Sequence, residues 1–216
     1  MNFTPESTDQ LQKLANLYGE VKLLVLYSEE VDRDSQSNIQ VIKEFRDAFD
    51  HLMRAIIATT RNRVPDNANS KTLDQYSVQN IDKAIGHVYR AAFDSLDGTV
   101  LSLKNSIHED LGKYPLDVIK EVITDYWEMK IKILELQDNI ATHRNRKDIG
   151  NDINAEVFRN YVRDIETLKM FYKTICSAGP ALDEAHSVYK RNQYIKYTFL
   201  FLTAIGAISA LVALLK

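Results

Sequence analysis

Glycine, proline and cysteine are scarce in this sequence. Its 216 residues include 7 glycines, 4 prolines and 1 cysteine. Because glycine and proline form most sharp turns, their scarcity favours long helices over a protein of many short strands. The single cysteine, Cys176, excludes an intramolecular disulfide and fits a reducing compartment. The first ten residues, MNFTPESTDQ, contain no basic residue and no apolar run, so we expect no signal peptide.

Excess charge and the motifs of common enzymes are also missing. The formal net charge is −3 and the sequence pI is about 6.0, which does not indicate a large nucleic-acid surface. The 5 histidines are far apart, without a His-Glu-x-x-His, Cys-x-x-Cys or Glu-x-x-His spacing. The sequence has no glycine-rich phosphate loop, nucleophile elbow or kinase signature. We therefore expect no metal and no cofactor.

Helical periodicity runs through most of the chain. Apolar residues recur at spacings of three and four, and no segment alternates as a strand does. Thr4 as a cap and Pro5 in the first turn predict a first helix that ends near residue 31. A second helix is predicted from near Ser35 to about residue 60. A third is predicted from a cap at Thr72, through Gly98, to about residue 111.

Two further helices complete the predicted bundle. The fourth runs from about Pro115 towards Arg146, and the fifth ends at Gly179-Pro180. A sixth helix begins there and leads into the apolar C-terminal segment. Because the connections are short, consecutive helices should pack antiparallel. The sequence thus predicts an all-α fold, an elongated antiparallel bundle of about five long helices followed by one C-terminal transmembrane helix.

A long apolar run closes the sequence. The segment TFLFLTAIGAISALVALL, residues 198–215, contains no charged residue. Its roughly eighteen residues rise about 27 Å as a helix, enough to cross a hydrocarbon core. A buried core helix normally keeps a polar face, whereas this segment has only Thr198, Thr203 and Ser209 as polar residues. We therefore predict a membrane span.

Basic residues on either side of the span predict its direction. Three of them precede it and one, Lys216, follows it; the three are Lys190, Arg191 and Lys196. This asymmetry places the N-terminal side in the cytoplasm. The predicted organisation is a cytosolic helical bundle over residues 1–180, a juxtamembrane helix over 181–196 and a transmembrane tail anchor over 197–216.

One short stretch carries a candidate catalytic pair. The residues RDAFDH, from Arg46 to His51, resemble the motif of HEPN-type helical ribonucleases, in which an Arg followed by a polar residue precedes a His by a few positions. In that family the Arg and His of two protomers meet at a dimer interface and cleave RNA without a metal. The resemblance implies that Arg46 stabilises the phosphate, that His51 acts as a general acid or base, and that RNA is the substrate.

A competing interpretation treats the same stretch as helix packing. The pattern Ala-x-x-His-x-x-Arg-Ala occurs twice, at Ala48, His51, Arg54 and Ala55 and again at Ala84, His87, Arg90 and Ala91. The repeated alanines would allow close helix approach. A hairpin about Asn67 would bring Glu44 towards Arg90 and Asp47 towards His87, which would make these four residues interhelical polar pairs. We favour packing, with the apolar stripe of the second helix centred on Phe45, Phe49, Leu52 and Ile56.

Small residues cluster on one side of the predicted span. Three small-x-x-x-small pairs place them on one broad face; they are Thr203 with Ala207, Gly206 with Ala210, and Ser209 with Ala213. Such a face favours lateral association, so we expect a homo-oligomer in the lipid bilayer, in which Thr203 and Ser209 could line a pore.

Three functions follow from these features. The preferred hypothesis is a tail-anchored, oligomerising membrane effector that forms pores or disrupts the membrane in antiviral defence or toxicity, and is not an enzyme. The chain is similar in organisation to single-span bacterial defence effectors. The alternatives are a membrane-tethered HEPN-like ribonuclease and a tail-anchored scaffold that recruits a helical protein partner.

Overall fold

A computed structural model describes residues 3–32, 38–66, 68, 72–146 and 155–214. Within these residues the chain is helical and contains no strand, which confirms the predicted all-α bundle. The helices are α1 (Pro5–Val31), α2 (Ile39–Arg61), α3 (Leu73–Leu111), α4 (Leu116–Val122), α5 (Tyr126–Arg146) and α6 (Ala155–Leu214).

The predicted capping residues begin two of these helices. Thr4 Oγ1 accepts a hydrogen bond from the Ser7 amide at 3.3 Å, and Thr72 Oγ1 accepts one from the Gln75 amide at 3.2 Å. The predicted start of α2 near Ser35 lies outside the described residues. In the described part α2 is capped by Asn38, whose Oδ1 accepts from the Gln40 amide at 2.9 Å. Side-chain acceptors at these positions satisfy amides that have no partner within the helix.

The single long helix predicted from Pro115 to Arg146 was wrong. The chain leaves the helix at Ile123, which is extended at φ −106° and ψ 91° and is buried. A new helix begins at Tyr126, and the Met129 amide donates to Asp125 O at 2.9 Å. Thr and Asp favour turns and helix starts, so Thr124 and Asp125 suit this break. Burial of Ile123 is a tertiary effect that the helical periodicity does not contain.

The helix end predicted at Gly179-Pro180 was also wrong. Helix α6 continues through Pro180. A proline inside a helix removes one backbone hydrogen bond and costs about 3 kcal/mol. Ile175 and Leu182, on either side of it, are 2% and 1% exposed. Their burial offsets a cost of this size, at about 1.5–3 kcal/mol for each side chain.

The chain divides into two compact units. The first comprises residues 1–106 with 133–169, and the second comprises 107–132 with 170–216. The first unit is built around α3, which contributes more buried side chains than α1 or α2. Helix α2 packs antiparallel to α3, because Glu44 contacts Arg90 at one end and Thr59 contacts Ser77 at the other. These pairings agree with the up-and-down arrangement expected from short connections.

Helices α1 and α6 also pack on α3 within the first unit. Ser7 Oγ donates to Asp74 Oδ1 at 3.2 Å, so α1 begins beside the start of α3. From α6, the Tyr161 hydroxyl donates to the Asp97 carboxylate. An aromatic cluster lies beside this bond, with the Phe93 ring 5.9 Å from Tyr161 and 6.1 Å from Phe158.

Two glycines of α3 are expected to respond in opposite ways to replacement by alanine. A Cβ on Gly86 would meet only Arg90 Nη1, at an ordinary 3.6 Å, so Gly86→Ala should stabilise the fold by up to about 1 kcal/mol through helix propensity. A Cβ on Gly98 would stand 3.2 Å from Ser28 Oγ and 3.4 Å from Asn38 Nδ2. Gly98→Ala should therefore be no more stable than the parent. Thermal unfolding of both variants in detergent tests this, and equal stabilisation would contradict it.

The second unit contains the end of α3, α4, the beginning of α5 and the later part of α6. The Tyr114 hydroxyl donates to Asp183 Oδ1 at 2.7 Å, and its ring lies 5.5 Å from that of His186. The hydrogen bond to Asp183 raises the pKa of Tyr114. Helix α4 buries Val118 and Ile119. This unit ends in the C-terminal part of α6.

The C-terminal part of α6 is apolar and exposed. Among the described residues this is the one helix long and apolar enough to cross a membrane by length and composition. Every residue from 198 to 214 is exposed. Thr198 Oγ1 donates to Tyr194 O at 2.9 Å and Thr203 Oγ1 donates to Phe199 O at 2.8 Å. The helix itself thereby provides a hydrogen-bond acceptor for both threonine hydroxyls.

Candidate functional site

Buried alanines bring α2 and α3 together at the repeated motif. Ala48 and Ala55 of α2 are 6% and 0% exposed, and Ala84 and Ala91 of α3 are both fully buried. Small side chains let the two backbones approach closely. The histidines between them stack, with the ring centroids of His51 and His87 5.3 Å apart at an interplanar angle of 22°. The sequence pattern gave no direct sign that the two rings would meet.

Asn80 fixes the orientation of His51. Asn80 Nδ2 donates to Tyr76 O at 2.8 Å, which directs Oδ1 towards His51 Nδ1 at 3.0 Å. Because a carbonyl oxygen only accepts, His51 Nδ1 carries the proton of this hydrogen bond. Asn80 is 5% exposed and belongs to no motif that the sequence singles out. Only the structure identifies it as a member of the cluster.

Glu44 is the anionic centre of the cluster. Its Oε2 accepts from Arg90 Nε at 2.9 Å and lies 2.8 Å from His87 Nδ1. Arg90 Nη2 is also 2.6 Å from His87 Nδ1. His87 Nδ1 either donates to Glu44 or accepts from Arg90, since one ring nitrogen does not do both. The Glu44 side chain is 22% exposed, so its ion pair with Arg90 is partly shielded from water.

The candidate catalytic arginine has a different partner. Arg46 donates from Nε and Nη2 to Asp47 Oδ1, at 2.9 and 2.8 Å, and its side chain is 70% exposed. The hydrogen bond from Arg46 lowers the pKa of Asp47, and the positive charge of Arg46 lowers it further. Arg46 and His51 are about 140° apart around the helix. The described hydrogen bonds of Arg46 and His51 therefore go to different residues.

The cluster has the chemistry of a hydrogen-bonded helix interface. It contains two imidazoles, one carboxylate, one guanidinium and one amide. These groups can share protons and fix the register of α2 against α3. Among the residues described, no group of three or more His, Cys, Asp or Glu is placed to hold a metal ion.

Removal of the Glu44 carboxylate should destabilise the first unit. Glu44→Ala leaves Arg90 Nε without its carboxylate acceptor and removes the anion beside His87, so we expect a loss of about 1–3 kcal/mol. Glu20→Ala is the matched control, because Glu20 is an exposed residue of α1 and gains the same helix propensity. A surface change of this kind should stay within about 0.5 kcal/mol. Equal unfolding temperatures for the two variants would show that the cluster adds no stability.

The small residues of the candidate span form a second candidate site. At about 100° per residue, Thr203, Gly206, Ala207, Ala210 and Ala213 share one side of the helix, with Ser209 at its edge. Large apolar side chains occupy the remainder, among them Phe201, Ile205 and Ile208, which are 46–66% exposed. Over residues 203–213 the helix thus has one side of small residues and one of large apolar residues, which suits lateral association in lipid.

Comparison with known protein families, with curated proteins and with solved structures finds no match to this chain.

Proposed function

We propose that this protein is a membrane-anchored effector that assembles into oligomers and permeabilises or disrupts the bilayer. One observation carries the proposal. A folded helical unit continues without interruption into an exposed apolar helix, which spans residues 198–214. Its direct partners are then the lipid bilayer and further copies of the same chain, and the proposed biological setting is antiviral defence or toxicity.

The exposed surface of this helix supports insertion into a membrane. Its large apolar side chains are 46–85% exposed; they are Phe199, Leu200, Phe201, Leu202, Ile205, Ile208, Leu211, Val212 and Leu214. Transfer of one such side chain out of water is worth about 1.5–3 kcal/mol. The seventeen residues rise about 26 Å, close to the thickness of a hydrocarbon core.

The flanking residues support an orientation with the folded part in the cytoplasm. Lys190, Arg191 and Lys196 precede the apolar segment and Lys216 follows it. Basic residues concentrate on the cytoplasmic side of single spans. Tyr194 and Tyr197 are 75% and 66% exposed just before the apolar residues, where tyrosines of spans meet lipid headgroups.

The small side of the span supports assembly. Gly206 and Ala210 lie one turn apart on one face, and Thr203 is on that face one turn before Ala207. Close backbone approach along such a face stabilises helix pairs in lipid. A ring of several copies would place the hydroxyl groups of Thr203 and Ser209 towards a central pore.

Filling the small-residue side of the span with larger side chains tests this function. Gly206→Leu with Ala210→Leu fills the face without lowering the hydrophobicity of the span, so we expect the protein to reach the membrane but not to depolarise it. Ile208→Leu, on the opposite side, is the control and should keep full activity. Depolarisation by the parent chain on induction, measured with a potential-sensitive dye, is the readout. Unchanged depolarisation by the double variant would contradict assembly through this face.

The ribonuclease alternative makes a different prediction. A His51→Gln variant loses the general acid or base that the HEPN resemblance implies, and RNA cleavage should then disappear. The effector proposal expects the same variant to retain depolarisation, because His51 lies in the helical cluster and not in the span. Measurement of RNA integrity and membrane potential in the same cells separates the two hypotheses.

A further inference from the structure

Helix α2 has a second apolar side that is not part of the core. Ile42, Phe49 and Ile57 are 54%, 62% and 42% exposed, and Met53 is half-buried among them. At about 100° per residue these four side chains fall within a sector of about 80°. We call this sector the outer face of α2. The packing of the first unit, over the residues that the structure describes, leaves this apolar face exposed.

The core contact of α2 lies on a different side of the helix. Val41, Ala48 and Ala55 recur every seven residues and are 2%, 6% and 0% exposed. They point about 120–160° away from the middle of the outer face. The stripe predicted from the sequence, which included Phe49, was therefore wrong for that residue. Alanines form the contact with α3, and the larger Phe49 is left on the surface.

Charges at the outer face have a self-complementary arrangement. Arg46 lies inside the face and Asp50 lies at its edge, four residues later. Both are in local pairs, Arg46 with Asp47 at 2.8 Å and Asp50 with Arg54 at 2.7 Å. If two copies of α2 cross antiparallel near Phe49, Arg46 of each copy meets Asp50 of the other. Twofold symmetry produces this opposite-charge contact twice.

We propose that the outer face of α2 binds the same face of a second copy of this chain, with the two helices antiparallel. Ile42, Phe49, Met53 and Ile57 form the apolar centre, and both Arg46–Asp50 pairs lie towards one edge of it. His51 points about 160° away from the middle of this face, so the contact does not join the two histidines. The proposal rests on the proposed membrane-bound function in one respect, because attachment to a shared membrane raises the local concentration of the copies.

The available area explains why membrane attachment matters. If each of the four apolar side chains contributes ~100 Å², below the burial typical of an aromatic side chain, the face supplies roughly 400 Å² per copy. A stable interface removes about 800 Å² from each partner. The contact is thus too small to hold two free copies together. It forms when a shared bilayer raises the effective concentration of the copies.

Disulfide trapping in lipid vesicles tests the contact with the full chain. The exposed Cys176 is first replaced by Ser, and Phe49→Cys then places a thiol beside the symmetry axis. Leu101→Cys is the matched control, because Leu101 lies on α3 and is 60% exposed against 62% for Phe49. We expect the Phe49→Cys variant to form disulfide-linked dimers about tenfold faster than the control, since the thiols are held in contact instead of meeting by diffusion. Equal rates would overturn the proposal.

Charge reversal tests the antiparallel arrangement. In the Phe49→Cys background, Arg46→Asp should slow disulfide formation several-fold, and the added change Asp50→Arg should restore it. Failure of the second change to restore the rate would overturn the arrangement. Circular dichroism verifies that each variant keeps its helical content.

A thiol in the span separates this inference from the proposed function. Ala210→Cys reports association of the spans in the same vesicles. Trapping at position 210 without trapping at position 49 overturns the α2 contact and leaves the effector proposal intact. Trapping at position 49 without trapping at position 210 supports the α2 contact and contradicts assembly through the span.

Discussion

Replacing Ile205 and Ile208 together with arginine is expected to move the protein from the membrane fraction to the soluble or aggregated fraction. Both side chains lie near the middle of the apolar segment and are 46% and 62% exposed. An arginine at the centre of a span costs about 2.5–3.5 kcal/mol on an insertion scale, whereas each Leu, Ile, Phe or Val contributes only about 0.3–0.6 kcal/mol. Two arginines therefore cost more than the roughly eight remaining large apolar residues contribute, and insertion should fail.

The control for this experiment is a pair of arginines on the same helix before the span. Val188 and Ile195 are 40% and 59% exposed on α6, and Val188→Arg with Ile195→Arg adds the same charge outside the apolar segment. We expect this variant to remain in the membrane fraction and to resist extraction at high pH. Equal fractionation of the two double variants would contradict a span at residues 198–214.

The second large effect is expected in the core of the first unit. Phe93 is 1% exposed and its ring contacts Tyr89, Phe158 and Tyr161. Phe93→Ala removes these contacts and leaves a cavity between α3 and α6, so we expect a loss of about 3–5 kcal/mol. For a chain of this size that corresponds to a decrease in Tm of about 6–20 °C.

Leu101→Ala provides the comparison within the same helix. Leu101 is 60% exposed on α3, so its truncation should change stability by about 0.5 kcal/mol or less. Thermal unfolding of the two full-length variants in the same detergent gives the difference directly. Similar Tm values would show that α6 does not pack on α3 at Phe93, and would contradict the described core.

The starts of α1 and α3 and the apolar C-terminal segment followed from the sequence because their causes are local. The Thr4 cap with Pro5, and the Thr72 cap, act on amides within three residues of themselves. The apolar segment 198–214 could be predicted because it contains no charged residue over a length sufficient to cross a bilayer. In each case the information lies within one turn or one segment of chain, where periodicity and capping rules apply.

The features that did not follow from the sequence depend on distant partners. The break at Ile123 and the continuation of α6 through Pro180 arise from burial against other helices, which overrides the local preference for helix or break. In the candidate site, the alanine repeat suggested close approach of α2 and α3. It could not indicate the stacked histidines or the role of Asn80, because both depend on the register of the two helices.

The exposure of Phe49 also depends on how α2 packs against a distant part of the chain. A large aromatic residue in an amphipathic helix is expected to enter the core, and the sequence pattern placed it there. In the structure the close contact with α3 is made by alanines of α2. The orientation of α2 that buries these alanines leaves Phe49 62% exposed. Hydrophobicity alone identifies an apolar side of a helix, but shape complementarity decides which of two apolar sides is buried.

The mass of the purified protein in detergent, measured by light scattering with and without residues 197–216, tests the central claim most directly. The claim is that the apolar end of α6 both anchors the protein and assembles it. We predict that the full chain has one defined mass of several copies, and that removal of residues 197–216 yields a smaller species. A full chain that has the mass of a single copy, with no change on removal of the segment, would contradict the claim.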